Sequence, residues 1–234
     1  MAGAPAGAAP APAEEAAHPA LALPARRGAT KAAVPAAPEA AWQDPYSDCR
    51  PINERSRFLA ETWLRIGEYH FDYDFGRHGL DASISAYRHV LTMQDSPYYD
   101  KALYKLAWAY YRADQYVEAI RHFSMLVDFA DRQRERTGRT GSELRQEAIQ
   151  YLGISFAETD WNNDQVDDPE TGIQRIQNPN MLPQDKRWTR EVYFQLGDIY
   201  FDQAKYPQAI EVYELALRRW PNAPEAPEVT EKIA

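Results

Sequence analysis

The sequence predicts an all-α fold of repeated helix–turn–helix hairpins. Two observations carry that expectation. Apolar residues recur at three- and four-residue steps through residues 63–217, the repeat of a helix with one buried face. One such pair of helices then returns near the C-terminal end with the same residue types at the same spacings. A third observation sets the limits of the fold, because the composition changes sharply at Trp42. Residues 1–41 hold 19 Ala and 7 Pro and no aromatic residue, whereas every Trp, Tyr and Phe lies from Trp42 onward.

The Ala/Pro leader has little apolar bulk, so burial cannot offset the entropy of ordering its backbone. Its prolines favour an extended, stiff chain, and residues 1–41 are expected to form a disordered linker. The leader carries Glu14, Glu15 and Glu39 against Arg26, Arg27 and Lys31, so the net charge of −9 falls on residues 42–234. An acidic surface repels phosphate backbones and anionic leaflets. Protein surfaces are therefore the expected partners and nucleic acid is not. Cys49 is the single cysteine, so no disulfide can form within the chain and the redox compartment stays open. No apolar run approaches the roughly 18 residues of a membrane span. The N-terminus lacks the charged and apolar regions of a secretory signal, which taken alone points to the cytoplasm. The low-complexity start and the end at Ile233-Ala234, inside a helical pattern, read as the edges of a fragment.

The clearest hairpin begins in PYYDKALYKLAWAYYR (97–112), where Ala102, Leu103, Leu106, Ala107 and Tyr110 make one apolar stripe. Ser96-Pro97 is expected to cap it, with proline at the first helical position. A short polar turn (Ala113, Asp114, Gln115) leads to a second stripe of Tyr116, Ala119, Ile120, Phe123, Leu126 and Val127. Helices joined by so short a turn pair antiparallel. The segments 190–206 and 207–221 repeat this arrangement. Leu196 answers Leu106, Gly197 answers Ala107, Tyr200 answers Tyr110, Ala209-Ile210 answer Ala119-Ile120, and Tyr213 answers Phe123. Gly197 and Ala209 stand twelve residues apart, with Pro221 twelve further on.

These spaced positions resemble the tetratricopeptide repeat (TPR), a helix–turn–helix unit of about 34 residues. Two looser copies share the resemblance. Trp63, Ile66 and Gly67 open the first. Its second helix, with Ser83-Ile84, Tyr87, Val90 and Leu91, is expected four residues late behind a long connection, FDYDFGRHGLD (71–81). Ile149, Leu152, Gly153 and Phe156 open the third unit, whose partner helix is eroded to Gly172, Ile173 and Ile176 behind an acidic insertion. The units fall at about 55–95, 97–131, 142–177 and 186–221, and a further one starts at 224–234. The anchors Gly67, Ala107, Gly153 and Gly197 lie 40, 46 and 44 residues apart, so insertions interrupt every period. The resemblance implies an α-solenoid in which each unit buries its neighbour's apolar face and the first helices line a concave groove.

The resemblance also implies which positions face that groove. On the second unit they are Lys101, Tyr104, Trp108, Tyr111 and Arg112. On the fourth they are Glu191, Phe194, Asp198, Phe201 and Asp202, and on the first Glu61, Leu64, Glu68, Phe71 and Asp72. Aromatics flanked by acids suit a peptide segment with apolar anchors and basic flanks. The same aromatics equally suit plain packing between units. The Lys/Asn carboxylate clamp of some cytosolic co-chaperones is not visible. The phrase SPYYDKALYKLAWAYYRADQYVEAI (96–120), the long insertions and the Ala/Pro leader resemble deltaproteobacterial envelope TPR proteins. Those include the myxobacterial gliding-motility proteins and, more distantly, outer-membrane-assembly and Tol-Pal-associated factors. That resemblance implies a periplasmic scaffold in a multiprotein machine. The competing expectation is a cytoplasmic adaptor binding short peptides.

Three clusters invite a chemical reading. In ETDWNNDQVDDPETG (158–172), Asp160, Asn162, Asp164 and Asp168 occupy positions 1, 3, 5 and 9 of a calcium-loop register. Gln165 stands where that loop needs Gly and Thr171 where it needs a bidentate Glu, so any Ca²⁺ binding would be weak. The bland alternative is a solvated acidic loop. His70, Asp72, Asp74 and His78 are transition-metal ligand types without a zinc spacing, and they also read as a polar turn. Arg132, Arg134, Arg136 and Arg139 sit among Asp131 and Glu135 ahead of Gly138 and Gly141. They read as a charged helix end, with docking of an acidic partner as the alternative. No nucleophile elbow, metalloprotease motif, phosphate loop or dinucleotide glycine pattern occurs, so no enzymatic activity is expected and no cofactor beyond that weak Ca²⁺. A catalytic role would need an appended domain. Cys49, in DPYSDCRP, lacks the small and aliphatic residues of a lipoprotein box.

Overall fold

A computed structural model describes residues 42–50, 58–74 and 77–234. The expected leader, 1–41, and the opening residues 55–57 of the first unit lie outside them. Among the described residues the chain forms nine helices and no strand. Helices α1 (Leu59–Tyr73) and α2 (Arg77–Leu91) pair, as do α3 (Tyr99–Arg112) with α4 (Tyr116–Thr137) and α7 (Thr189–Asp202) with α8 (Tyr206–Arg219). Helix α5 (Arg145–Ala157) has only the six-residue α6 (Gly172–Gln177) as its partner, and α9 (Ala226–Ile233) packs on α8. One apolar core runs from Ala60 to Val229 through these elements.

The α1–α2 and α7–α8 hairpins close because a glycine meets an aromatic ring. Gly67, Ala107, Gly153 and Gly197 are each the ninth residue of α1, α3, α5 and α7. A methyl group on Gly197 would sit 2.3 Å from Cε1 of Tyr213, and one on Gly67 equally close to Tyr87. Such a group would have to push the ring out of its seat. The turns of the second and fourth units are alike. Asp114 and Ala204 both adopt a left-handed conformation (φ 57° and 58°). The next residues, Gln115 and Lys205, donate N–H bonds back to Tyr110 O and Tyr200 O at 2.9 and 2.8 Å.

The structure corrects the reading at two helix boundaries. The segment expected as a long connection, 71–81, is mostly helix, since α1 runs to Tyr73 and α2 begins at Arg77. The four additional residues amount to about one helical turn, so Tyr87 still reaches Gly67 as Tyr213 reaches Gly197. Gly79 permits this, because a Cβ there would lie 2.2 Å from the Asp74 carbonyl oxygen. At the second boundary, Ser96-Pro97 precedes α3 rather than capping it. The Ser96 hydroxyl accepts the Tyr98 N–H at 3.1 Å and shapes the turn before Tyr99.

Unit three departs most from the others. A capping box between Thr171 and Gln174 starts α6, which ends after six residues. The place of a full second helix is taken by 178–188, which buries Leu182 and Trp188. Gln184 ties this segment down by donating to the carbonyls of Ile176 (2.9 Å) and Leu182 (2.8 Å). With so short a partner, α5 packs directly on α7, where Ile199 and Gln195 lie against Gly153. At the far end α9 covers less of α8 than α5 covers of α4. Ile210 is 36% exposed where its counterpart Ile120 is 1% exposed.

Candidate functional site

The first helices α1, α3 and α7 carry every residue expected to line the groove, and the structure joins several of them to α5 and to one another in a ladder between units. The Tyr104 hydroxyl donates to Glu147 Oε1 of α5 at 2.5 Å, and the Tyr111 hydroxyl donates to Glu158 Oε1 at 2.7 Å. Burial, reinforced by Glu147, holds the Tyr104 phenol well above its ordinary range, so it stays a donor. Between these two bonds, the Trp108 ring meets Tyr151 of α5 edge-on with centroids 4.3 Å apart. Arg112 reaches back to α1, donating to Phe71 O at 2.9 Å and lying 4.4 Å from the Phe71 ring centroid. Glu68 accepts from Arg65 and faces Lys105 at 3.9 Å. Lys101 and Glu61 are half-buried, and Asp72 is exposed.

The fourth unit is joined in the same way. Arg145, the first residue of α5, bonds Asp131 of α4 at 2.6 Å and both carboxylate oxygens of Glu191 at 2.8 and 2.9 Å. The Glu191 bond, and after it that of Asp131, raises the Arg145 pKa against the opposing effect of burial. Asp198 accepts from the Tyr213 hydroxyl at 2.6 Å and from Lys232 of α9 at 2.8 Å. Phe201 is half-buried against Tyr206, and Asp202 is exposed.

Two expected groove residues are not on an open surface. Phe194 is 4% exposed and Leu64 3% exposed, both in the core. The physical reason at Phe194 is the close approach of α5 to α7, which follows from the short α6. On α3 and α5 a half-buried aromatic row remains, Tyr104, Trp108, Tyr111 and Tyr151, edged by Glu147 and Glu158, while Tyr69 and Tyr73 of α1 are exposed. Phe201 and Asp202 stand beyond it.

The acidic insertion folds around an arginine. Arg175 of α6 is 2% exposed. It donates to Asp168 Oδ2 and to the Glu158 carbonyl, both at 2.7 Å, and its guanidinium lies 4.0 Å from the Trp161 ring centroid. Asp160 accepts the backbone N–H groups of Asp164 (3.1 Å) and Gln165 (2.9 Å). The residues of the expected calcium register, Asp160, Asn162, Asp164 and Asp168, thus bond backbone amides and Arg175. Among the described residues no group of three or more His, Cys, Asp or Glu is gathered as a metal site. That holds also for His70, Asp72, Asp74 and His78. His70 Nε2 instead bonds the Tyr46 hydroxyl at 2.5 Å. A guanidinium beside Asp168 repels a cation, so millimolar Ca²⁺ is expected to leave the melting temperature and cleavage within 159–170 unchanged. A rise of more than about 2 °C, roughly 0.5–1 kcal/mol for a chain of this size, would overturn that account.

No signal in the sequence marked Arg175, Arg145 or Gln184. Each acts across a distance set by the fold, and none belongs to a motif.

Two stretches match family models described as tetratricopeptide repeat, residues 101–129 and 191–222. They coincide with the α3–α4 and α7–α8 hairpins. No curated protein matched the chain significantly. The all-α array thus contains two hairpins that match the tetratricopeptide repeat, a unit that generally serves in protein interaction. Among the described residues no helix is long and apolar enough to cross a membrane.

Proposed function

We propose that the chain is a scaffold that holds partner protein segments along its first helices and organises a multiprotein complex of the bacterial cell envelope. The observation that carries the binding site is the half-buried row of Tyr104, Trp108, Tyr111 and Tyr151 beside Glu147 and Glu158. Rings held by their neighbours lose little entropy when a partner covers them, and such rings are common anchors of binding energy. The carboxylates beside them favour a partner with basic flanks. The envelope assignment, with a periplasmic location and a role in motility as its narrowest form, rests on the resemblance of residues 96–120 to deltaproteobacterial envelope proteins.

Affinity capture from solubilised envelope tests both parts. Trp108→Ala and Phe201→Ala, each verified by circular dichroism, are expected to lose most of the captured partner, by about tenfold or more for Trp108. Partners retained equally by both variants would refute binding through the first helices. Capture solely from the cytoplasmic fraction would replace the envelope scaffold by a soluble adaptor.

A further inference from the structure

Helix α4 is 22 residues long where α8 has 14. Its last turns rise at the edge where three other helices begin. Phe129 packs on Tyr99 at the start of α3, Asp131 bonds Arg145 at the start of α5, and Asp128 accepts Trp188 Nε1 just before α7. Gly138 ends the helix in a left-handed conformation (φ 68°). Gly141 lets the chain turn back against the Ala130 carbonyl, which a Cβ there would approach to 1.8 Å.

That overhang carries Arg132, Arg134 and Arg136, and Arg139 follows in the return loop. All four are exposed, and none forms an ion pair among the described residues. Arg136 bonds only Gln133, its neighbour on the same helix. The acids nearby are mostly committed. Asp131 is held by Arg145, and Asp100 accepts the Ser142 hydroxyl and the Lys101 N–H. Glu135 lies 3.9 Å from Arg187, itself almost fully exposed. Asp95 and Glu143 are the remaining acids at this edge. Beside the overhang is a polar cleft of 610 Å³ with Arg136, Arg139, Thr137 and Thr140 on its walls and with Asp95 and Asp100 also lining it, the latter held by Ser142.

Cations near a helix C-terminus stabilise it by only about 0.3–1 kcal/mol each, and that effect falls off beyond the last turn. It does not account for Arg132 or for Arg139 outside the helix. In a chain of net charge −9, a basic salient left unpaired is the feature that departs from its surroundings. We propose that the α4 overhang is a docking surface for an acidic segment of a partner protein, separate from the aromatic row. Guanidinium groups take carboxylates in bidentate pairs, and the cleft supplies hydroxyl and amide donors beside them. The acidity of the rest of the chain opposes a long polyanion, which sets a short acidic protein segment above nucleic acid.

The test uses the full chain, a synthetic glutamate-rich peptide and the same peptide with glutamine throughout. The expected result is binding of the glutamate peptide alone. Its association rate should fall about tenfold or more when the four arginines are changed to Glu, and by less with R132Q/R134Q/R136Q/R139Q. The difference should vanish at about 1 M salt, where the Debye length is about 3 Å. Circular dichroism verifies that the variants, all altered at exposed positions, remain folded. Equal association by wild type and the charge-reversed variant would overturn the proposal. So would tighter binding of single-stranded nucleic acid or of phosphatidylserine vesicles than of the peptide.

Discussion

Arg175→Ala is expected to open the insertion 158–170 to protease and to cost about 3 kcal/mol, the low end of what removing one partner of a buried ion pair costs. Four contacts disappear together: the bond to Asp168, the bond to the Glu158 carbonyl, the ion pair with Glu170 at 3.6 Å and the stacking on Trp161. The Asp168 carboxylate keeps only the Trp161 N–H, and its charge is left without a cation in a half-buried place. Arg175→Met separates these causes. It keeps the length of the side chain while removing charge and donors, so it should recover packing on Trp161 but not protection of the loop. In a chain of stacked units the damage stays largely local. Hydrogen exchange should therefore accelerate at Trp161, Asp164 and Gln165, whose amides bond Asp168 and Asp160, while α3 and α4 keep their protection. Unchanged exchange at those amides would sink the account of an arginine-centred loop.

The difference between what was readable in the sequence and what was not follows from distance along the chain. Gly67 and Gly197 are legible because a small residue opposite a ring is a local demand of the hairpin, met by Tyr87 and Tyr213, whereas Gly153 faces Ile199 and Gln195 of α7 instead. The helical faces of α3, α4, α7 and α8 were legible from periodicity. Residues 77–81 are helical although His78, Gly79 and Asp81 are poor helix formers. Packing of Tyr87 against Gly67 overrides that local preference. The acidic insertion offers both a weak calcium register and a plain acidic loop, because spacing alone does not tell them apart. Arg175, which neutralises Asp168, approaches it only after α6 docks on α5. Phe194 illustrates the limit of carrying positions over from a repeat pattern. The pattern assumes equal spacing of first helices, whereas the six-residue α6 lets α5 close on α7.

That closure makes Trp188 the residue on which the joint between the third and fourth units turns. Trp188→Ala is expected to cost about 3–5 kcal/mol, the range for emptying the seat of a buried large aromatic side chain. Trp188 is 2% exposed, and its Nε1 donates to Asp128 of α4 at 2.8 Å. It therefore spans from the second unit to the fourth, across the space that a full second helix would occupy in the third. Trp188→Phe retains most of the bulk and loses that bond, while Lys186 still serves Asp128 at 3.0 Å. It should cost about 1 kcal/mol more than repacking alone. The larger consequence is for cooperativity. Stability in a stacked array is a sum of unit terms and neighbour terms, and the third unit has little of its own, since α6 is so short. Weakening its joint should split a single melting transition into two, one for α3–α4 with α1–α2 and one for α7–α8 with α9. Calorimetry of Trp188→Ala reads this directly. One unbroken transition with a melting temperature within about 2 °C of wild type, under roughly 1 kcal/mol, would show that the direct packing of α5 on α7 holds the array together without it.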